Sequence, residues 1–221
     1  VAAGSWVFAT RLPEKGEAYG TMEVSGDASP YDVSGTIKTV GGEELPVSGQ
    51  MNLYTGFEWR ANLDIGGTTY RQVAAISEDG ATLTGRQFLH AEDSLGGTFK
   101  AVRAGGKPAI IAVVPSTLPA GGNAAIQVVG TGLEDVVLSG ALETSGGSGN
   151  AFGTALDVTP AADTDGLVSV TSRGAAAGDA LAVYSHVDSL KVEPAFAVAR
   201  VGGGGGSAGK VPALFEAIGF W

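Results

Sequence analysis

Cysteine is absent from all 221 residues. Its absence excludes disulfides, thiolate zinc sites, cysteine nucleophiles, iron–sulfur clusters and the C-x-x-C-H attachment of c-type haem within this stretch. Histidine is nearly absent too: with only His90 and His186, a His-based metal site needs carboxylates to complete it. Charge is sparse, since Asp, Glu, Lys and Arg make up 16% of the chain where a soluble protein usually has about a quarter. The charge present leans acidic, to a net −10, and it is spread evenly. Up to Ala104 there are 8 basic and 13 acidic residues, and beyond it 5 and 10. Such a surface repels phosphate backbones and anionic lipid, so nucleic-acid and membrane partners are disfavoured. Low charge also implies that much of the surface is covered. No apolar run approaches the roughly 18 residues of a membrane-spanning helix. Nor does the opening Val1-Ala2-Ala3-Gly4 carry the basic and apolar regions of a secretory signal.

Glycine, in contrast, is abundant at 36 residues, about twice its usual share. An apolar fraction of 44% is enough for a real core. Many short elements joined by turns follow from the two together. The strongest pattern is strict alternation, which is a strand signal. Tyr31, Val33, Gly35 and Ile37 alternate with Asp32, Ser34, Thr36 and Lys38. Val47, Gly49, Met51 and Leu53, and then Phe57, Trp59, Ala61, Leu63 and Ile65, repeat the pattern. Helical spacing is not sustained anywhere in this part.

Turn residues cut the first hundred residues into eight runs: Gly4 to Arg11, Ala18 to Ser25, Tyr31 to Val40, Glu44 to Tyr54, Phe57 to Ile65, Thr68 to Ser77, Thr82 to Leu89 and Gly97 to Val102. Eight sequential strands with short loops predict a closed up-and-down antiparallel barrel over residues 1–104, with a meander sandwich as the alternative. Val33, Ile37, Met51, Leu53, Phe57, Trp59, Leu63 and Ile65 are its expected interior. From Gly105-Gly106-Lys107-Pro108 onward charge thins and aromatics almost vanish. Runs at Ala109 to Val114, Ala124 to Gly130, Asp135 to Ser139, Gly153 to Thr159, Gly166 to Ser172, Asp179 to His186 and Leu190 to Arg200 predict an immunoglobulin-like β-sandwich over 105–200. Residues 201–221 read as a glycine linker followed by the start of a truncated third β domain. Its apolar end, Leu214 to Trp221, is the expected mark of a fragment.

No catalytic, cofactor-binding or metal residue is assigned. Gly204 to Lys210 matches the phosphate-binding G-x-x-x-x-G-K, but Val211 stands where a magnesium-holding Ser or Thr is needed. Ser207 sits in a G-x-S-x-G string, yet no histidine follows residue 186 to act as its base. A linker is the better reading of both. His90-Ala91-Glu92 has the H-x-E of zinc deaminases without their cysteines. Asp163-Thr164-Asp165-Gly166 is a turn rather than a calcium loop, and Glu92-Asp93 is a second acidic pair. The aromatics Trp6, Tyr19, Phe57 and Trp59 are read as inward-facing, as core filling or as the wall of a ligand pocket. Tyr70-Arg71-Gln72 and the apolar residues after it suggest a strand covered on both faces.

Several strings resemble the β-rich part of the alpha subunit of quinohaemoprotein amine dehydrogenase. They are Tyr19 to Met22, Tyr54 to Ala61, Thr69 to Val73, Leu83 to Arg86, Val192 to Pro194, Ala199 to Gly202 and Lys210 to Ala217. The resemblance implies a β-barrel followed by immunoglobulin-like domains, within a subunit that also has a dihaem cytochrome domain. It further implies a β-propeller subunit and a small quinone-bearing subunit as partners. Haem c and cysteine tryptophylquinone would be held by those partners, none by this chain, in a periplasmic complex that oxidises primary amines and passes the electrons on. By that resemblance the chain is a non-catalytic scaffold. The competing reading is a freestanding small-ligand-binding barrel with an adhesion-type domain. A roomy interior favours the second reading and a packed one the first.

Overall fold

The computed structural model describes residues 2–13, 15–176 and 181–184. The run Leu190 to Arg200, His186, the glycine tract and the apolar end all lie outside the described residues.

Alternation builds the first domain. Its strands are β1 (Gly4–Leu12), β2 (Gly16–Ser25), β3 (Tyr31–Thr39), β4 (Glu44–Tyr54), β5 (Glu58–Ile65), β6 (Thr68–Ile76), β7 (Thr82–Leu89) and β8 (Glu92–Arg103). Each pairs antiparallel with the next, and β8 returns to β1 from Trp6↔Arg103 to Thr10↔Phe99, which closes an eight-stranded barrel. Closure removes the sheet edges that would otherwise invite pairing with other chains. Along β5, Trp59, Ala61, Leu63 and Ile65 are buried while Arg60, Asn62 and Asp64 face water. A slip of one residue would expose that whole apolar set, so the register is strongly specified.

Curling eight strands into a ring demands close approach between neighbours, and glycine permits it. A Cβ on Gly35 would lie 2.1 Å from the Thr21 carbonyl oxygen, and one on Gly85 would lie 2.1 Å from that of Val73. Neither position tolerates a side chain without forcing strands apart.

Most of the expected interior is inside: Val33, Ile37, Met51, Trp59, Leu63 and Ile65 are buried. Leu53 is only partly so, packed at the core's margin. Phe57 departs from expectation at 56% exposed. The β4–β5 ladder ends at Tyr54↔Glu58, and Phe57 lies in the turn beyond it, where Phe57 N–H bonds back to the Tyr54 carbonyl. Correct alternation therefore places it past the end of the barrel. β8 begins at Glu92, earlier than Gly97, with a register shift between Phe88 and Leu89 that absorbs the irregular start.

The second domain has β9 (Ala109–Val114), β10 (Thr117–Pro119), β11 (Ala124–Thr131), β12 (Val137–Ser139), β13 (Leu142–Asn150), β14 (Gly153–Pro160), β15 (Gly166–Thr171) and β16 (Leu181–Tyr184). They form two four-stranded sheets, in orders β13-β14-β11-β9 and β10-β16-β15-β12. Ile126, Val128, Leu156 and Val158 of one meet Val168, Val170, Leu181 and Val183 of the other, as in an immunoglobulin-like sandwich. Two of these strands are not evident in the sequence. β10 spans three residues, and β13 is almost wholly exposed Ser, Thr and Gly, recruited by pairing with β14. β12 starts at Val137 because Asp135 turns the chain with φ 47°.

Candidate functional site

Three features could carry function: the barrel interior, its capped end and its junction with the sandwich. The interior is filled. Trp6 and Trp59 meet edge to face at 6.4 Å between centroids, and Phe8 lies 6.0 Å from Phe99. All four are essentially without exposed surface. A short polar line crosses this apolar packing. Trp59 Nε1 donates to Gln72 Oε1 at 3.2 Å, and Gln72 Nε2 donates to Gln87 Oε1 at 2.7 Å. The line ends at Gln87 Nε2, a buried donor with no acceptor. Amides can orient and desolvate a neighbour but supply no proton chemistry near neutral pH.

Arg103 closes one end of the barrel. Its guanidinium lies 4.4 Å from the Trp6 ring centroid, a cation–π distance. Its Nε donates to the Gly80 carbonyl at 3.1 Å and its Nη1 to the Ala3 carbonyl at 2.8 Å, joining the β6–β7 turn to the chain before β1. In the same turn Asp79 accepts from the Ser77 hydroxyl at 2.6 Å and the Ala81 amide at 3.0 Å. Those hydrogen bonds, the Ser77 one first, hold its carboxyl below the ordinary aspartate range.

At the junction, Val7, Ala9 and Val102 on the outside of the barrel pack against Ile111, Val114 and Val129 of the sandwich. Both carboxylate oxygens of Glu17 accept the Ser116 N–H, at 3.0 and 3.2 Å, and the Gly105 N–H reaches Thr131 Oγ1 at 2.9 Å. A cleft of about 410 Å³ opens beside this seam, lined largely by glycine backbone with Val7, Thr131, Leu133 and Asn150.

The residues singled out from sequence scatter. Trp6 and Trp59 share the core, whereas Phe57 is exposed and Tyr19 faces outward. In β2 the inner row is Ala18, Gly20, Met22 and Val24, so Tyr19 has the opposite parity and its ring meets Phe152 of the sandwich at 5.2 Å. No aromatic pocket forms from the four. Among the described residues no other domain covers β6. Tyr70, Gln72, Ala74 and Ile76 point inward, while on the outer face Arg71 stacks over Phe88 at 5.5 Å and pairs with Asp93 at 2.8 Å. His90 is exposed at the β7–β8 turn, and Asp163 and Asp165 are exposed in a turn of the sandwich. Among the described residues no three His, Asp or Glu side chains are grouped to hold a metal ion. The seam residues were legible in principle, because Trp6-Val7-Phe8-Ala9 is an unbroken apolar run and so marks a strand buried on both faces.

Residues 1–104 match the family model described as quinohemoprotein amine dehydrogenase, alpha subunit domain II, and residues 190–221 match that of alpha subunit domain IV. The chain belongs to the quinohemoprotein amine dehydrogenase alpha-subunit family. The domain II match coincides with the closed barrel, and the sandwich occupies the stretch between the two matches. No curated protein matches the sequence. Solved structures similar to it include a redesigned beta barrel, mFAP1, bound to DFHBI, at 13% identity over 46% of this chain and 94% of that one with a TM-score of 0.40. Another is a de novo designed fluorescence-activating beta barrel, at 15% identity over 46% and 92% with a TM-score of 0.36.

Proposed function

We propose that this chain is a non-catalytic scaffold portion of the alpha subunit of a periplasmic amine dehydrogenase. Amine oxidation and electron transfer belong to its partners: a dihaem cytochrome domain, a β-propeller subunit and a small quinone-bearing subunit. The observation that carries this reading is the packed barrel. Trp6, Phe8, Trp59 and Phe99 fill the interior, so a barrel that would bind a free ligand has no room for one. The described surface also lacks a nucleophile, a base and an orienting group within reach of one another. With no cysteine, these residues offer no thioether anchor for haem c and no cysteine partner for a tryptophylquinone. The barrel's fused seam with the sandwich suits a rigid spacer that fixes the distance between redox partners.

The test is spectroscopic and kinetic. The purified chain is expected to show no Soret band and no amine-dependent dye reduction, and to be released with the periplasmic fraction on osmotic shock. Turnover that survives removal of every partner subunit overturns the scaffold reading, and retention in the cytoplasm overturns the localisation.

A further inference from the structure

Among the described residues, the sandwich meets the barrel through β9 and β11 of one broad face, and nothing covers the other. Its β13-β14-β11-β9 sheet turns Val129 toward the barrel. The opposite sheet sends Val168 and Val170 inward and leaves Leu167, Ser169 and Thr171 of β15 outward, beside Val137 and Ser139 of β12. None of these five is charged. The wet face of β5 differs sharply, for it carries Glu58, Arg60 and Asp64. Charges near the open sheet stay at its ends, where Arg173 pairs with Glu134 and Asp135 at one and Asp163 and Asp165 lie at the other. Leu167 at 61% and Val137 at 57% are the most exposed of the large apolar residues described. Exposed aliphatics without charge are the composition of an interface core rather than of a solvated sheet.

The size of the face says what kind of partner fits. Four strands about 4.8 Å apart and about four residues long give a patch of roughly 250 Å². A freely diffusing partner needs about 800 Å² per side, so this patch holds only something already tethered nearby. A tether is present. β16 is an inner strand of this sheet and ends at Tyr184, and the domain IV match begins at residue 190, at most about 20 Å away along an extended chain. That stretch also supplies apolar side chains in Phe196, Leu214, Phe215, Phe220 and Trp221.

We propose that residues 190–221 dock on the outer face of the β10-β16-β15-β12 sheet, over Leu167 and Val137, so that the sandwich is gripped between the barrel on one side and domain IV on the other. The inference is independent of the scaffold reading and stands or falls on placement alone.

The full chain contains no cysteine, so a single introduced thiol reports one position. Leu167→Cys, with Thr171→Cys as a second probe of the same face, is reacted with a maleimide and compared with Val40→Cys on the barrel, 46% exposed. The expected result is modification at least tenfold slower on the sheet face. A benzophenone attached at Ser139→Cys is expected to cross-link within the same chain to a peptide from 190–221. Equal rates on the two domains, a cross-link to a second copy, or a cross-link to any other segment overturns the proposal.

Discussion

The indole nitrogen of Trp59 donates to the side-chain oxygen of Gln72 at 3.2 Å, and neither residue has any exposed surface. The two lie on neighbouring strands, one step off the direct pairs Trp59↔Ala74 and Ala61↔Gln72. A wrong register would strand a buried donor and a buried acceptor together. The hydrogen bond thus supports the same strand alignment that hydrophobic alternation favours.

Trp59→Ala is expected to cost about 3 to 5 kcal/mol, since it removes a large core side chain and its hydrogen bond. Trp59→Phe keeps much of the volume but leaves Gln72 without its donor, for a loss of about 1 to 3 kcal/mol. Urea denaturation followed by circular dichroism measures both. A loss below about 1 kcal/mol for the alanine variant is incompatible with Trp59 in the core.

Gln72 sits mid-line and Gln87 at the end, and the two should respond unequally. Gln72→Leu strands the Trp59 N–H and the Gln87 oxygen, whereas Gln87→Leu strands only Gln72 Nε2 and removes an amide nitrogen that had no acceptor. Gln72→Leu is therefore expected to be the more damaging, at about 1 to 3 kcal/mol for each group left unpaired. In a double-mutant cycle the pair should fall short of additivity by about 0.5 kcal/mol or more.

The seam between domains makes a calorimetric prediction. Val7 points away from the barrel core and into the junction, at 2% exposure. Val7→Asp places a carboxylate among Ile111, Val114 and Val129 while leaving the barrel interior untouched. Where the native chain should melt in one transition, the variant should melt in two, the sandwich separately from the barrel. A single unshifted transition would show that the seam does not couple the domains.

The Asp79 turn gives a pH dependence. Its folded carboxyl is held below the unfolded value of 3.8 by the Ser77 hydroxyl and the Ala81 amide. The unfolded state binds the proton more readily, so the contribution is complete above 3.8 and is lost as pH falls through the lower folded value. Carboxyl NMR titration should place Asp79 below the ordinary aspartate range, and Ser77→Ala should move it back up.

Much of the fold was legible because its physics is local. Alternation at Tyr31 to Lys38 and Trp59 to Ile65 marks strands, and the turn residues between the runs count them, so eight strands in a meander can be read directly. β13 was not legible. Its Ser and Gly residues have no apolar face to alternate, and only pairing with β14 makes it a strand. Phe57 and Tyr19 misled for two different reasons: one keeps the right parity past the barrel's end, the other has the outward parity and gains its burial from Phe152.

By itself, then, the sequence determined the chemistry this chain lacks, the two classes of β domain it contains and the parity of most strands, all of which follow from residue type and period. Only the tertiary structure decided that the barrel closes between β1 and β8, that Gln72 and Gln87 meet inside it, and that Val7 and Val102 serve a seam with Ile111 and Val129. These are contacts between residues distant along the chain or on different domains. Composition, alternation and turn chemistry describe neighbours in sequence, and which outward face becomes an inner one is settled only when two folded surfaces meet.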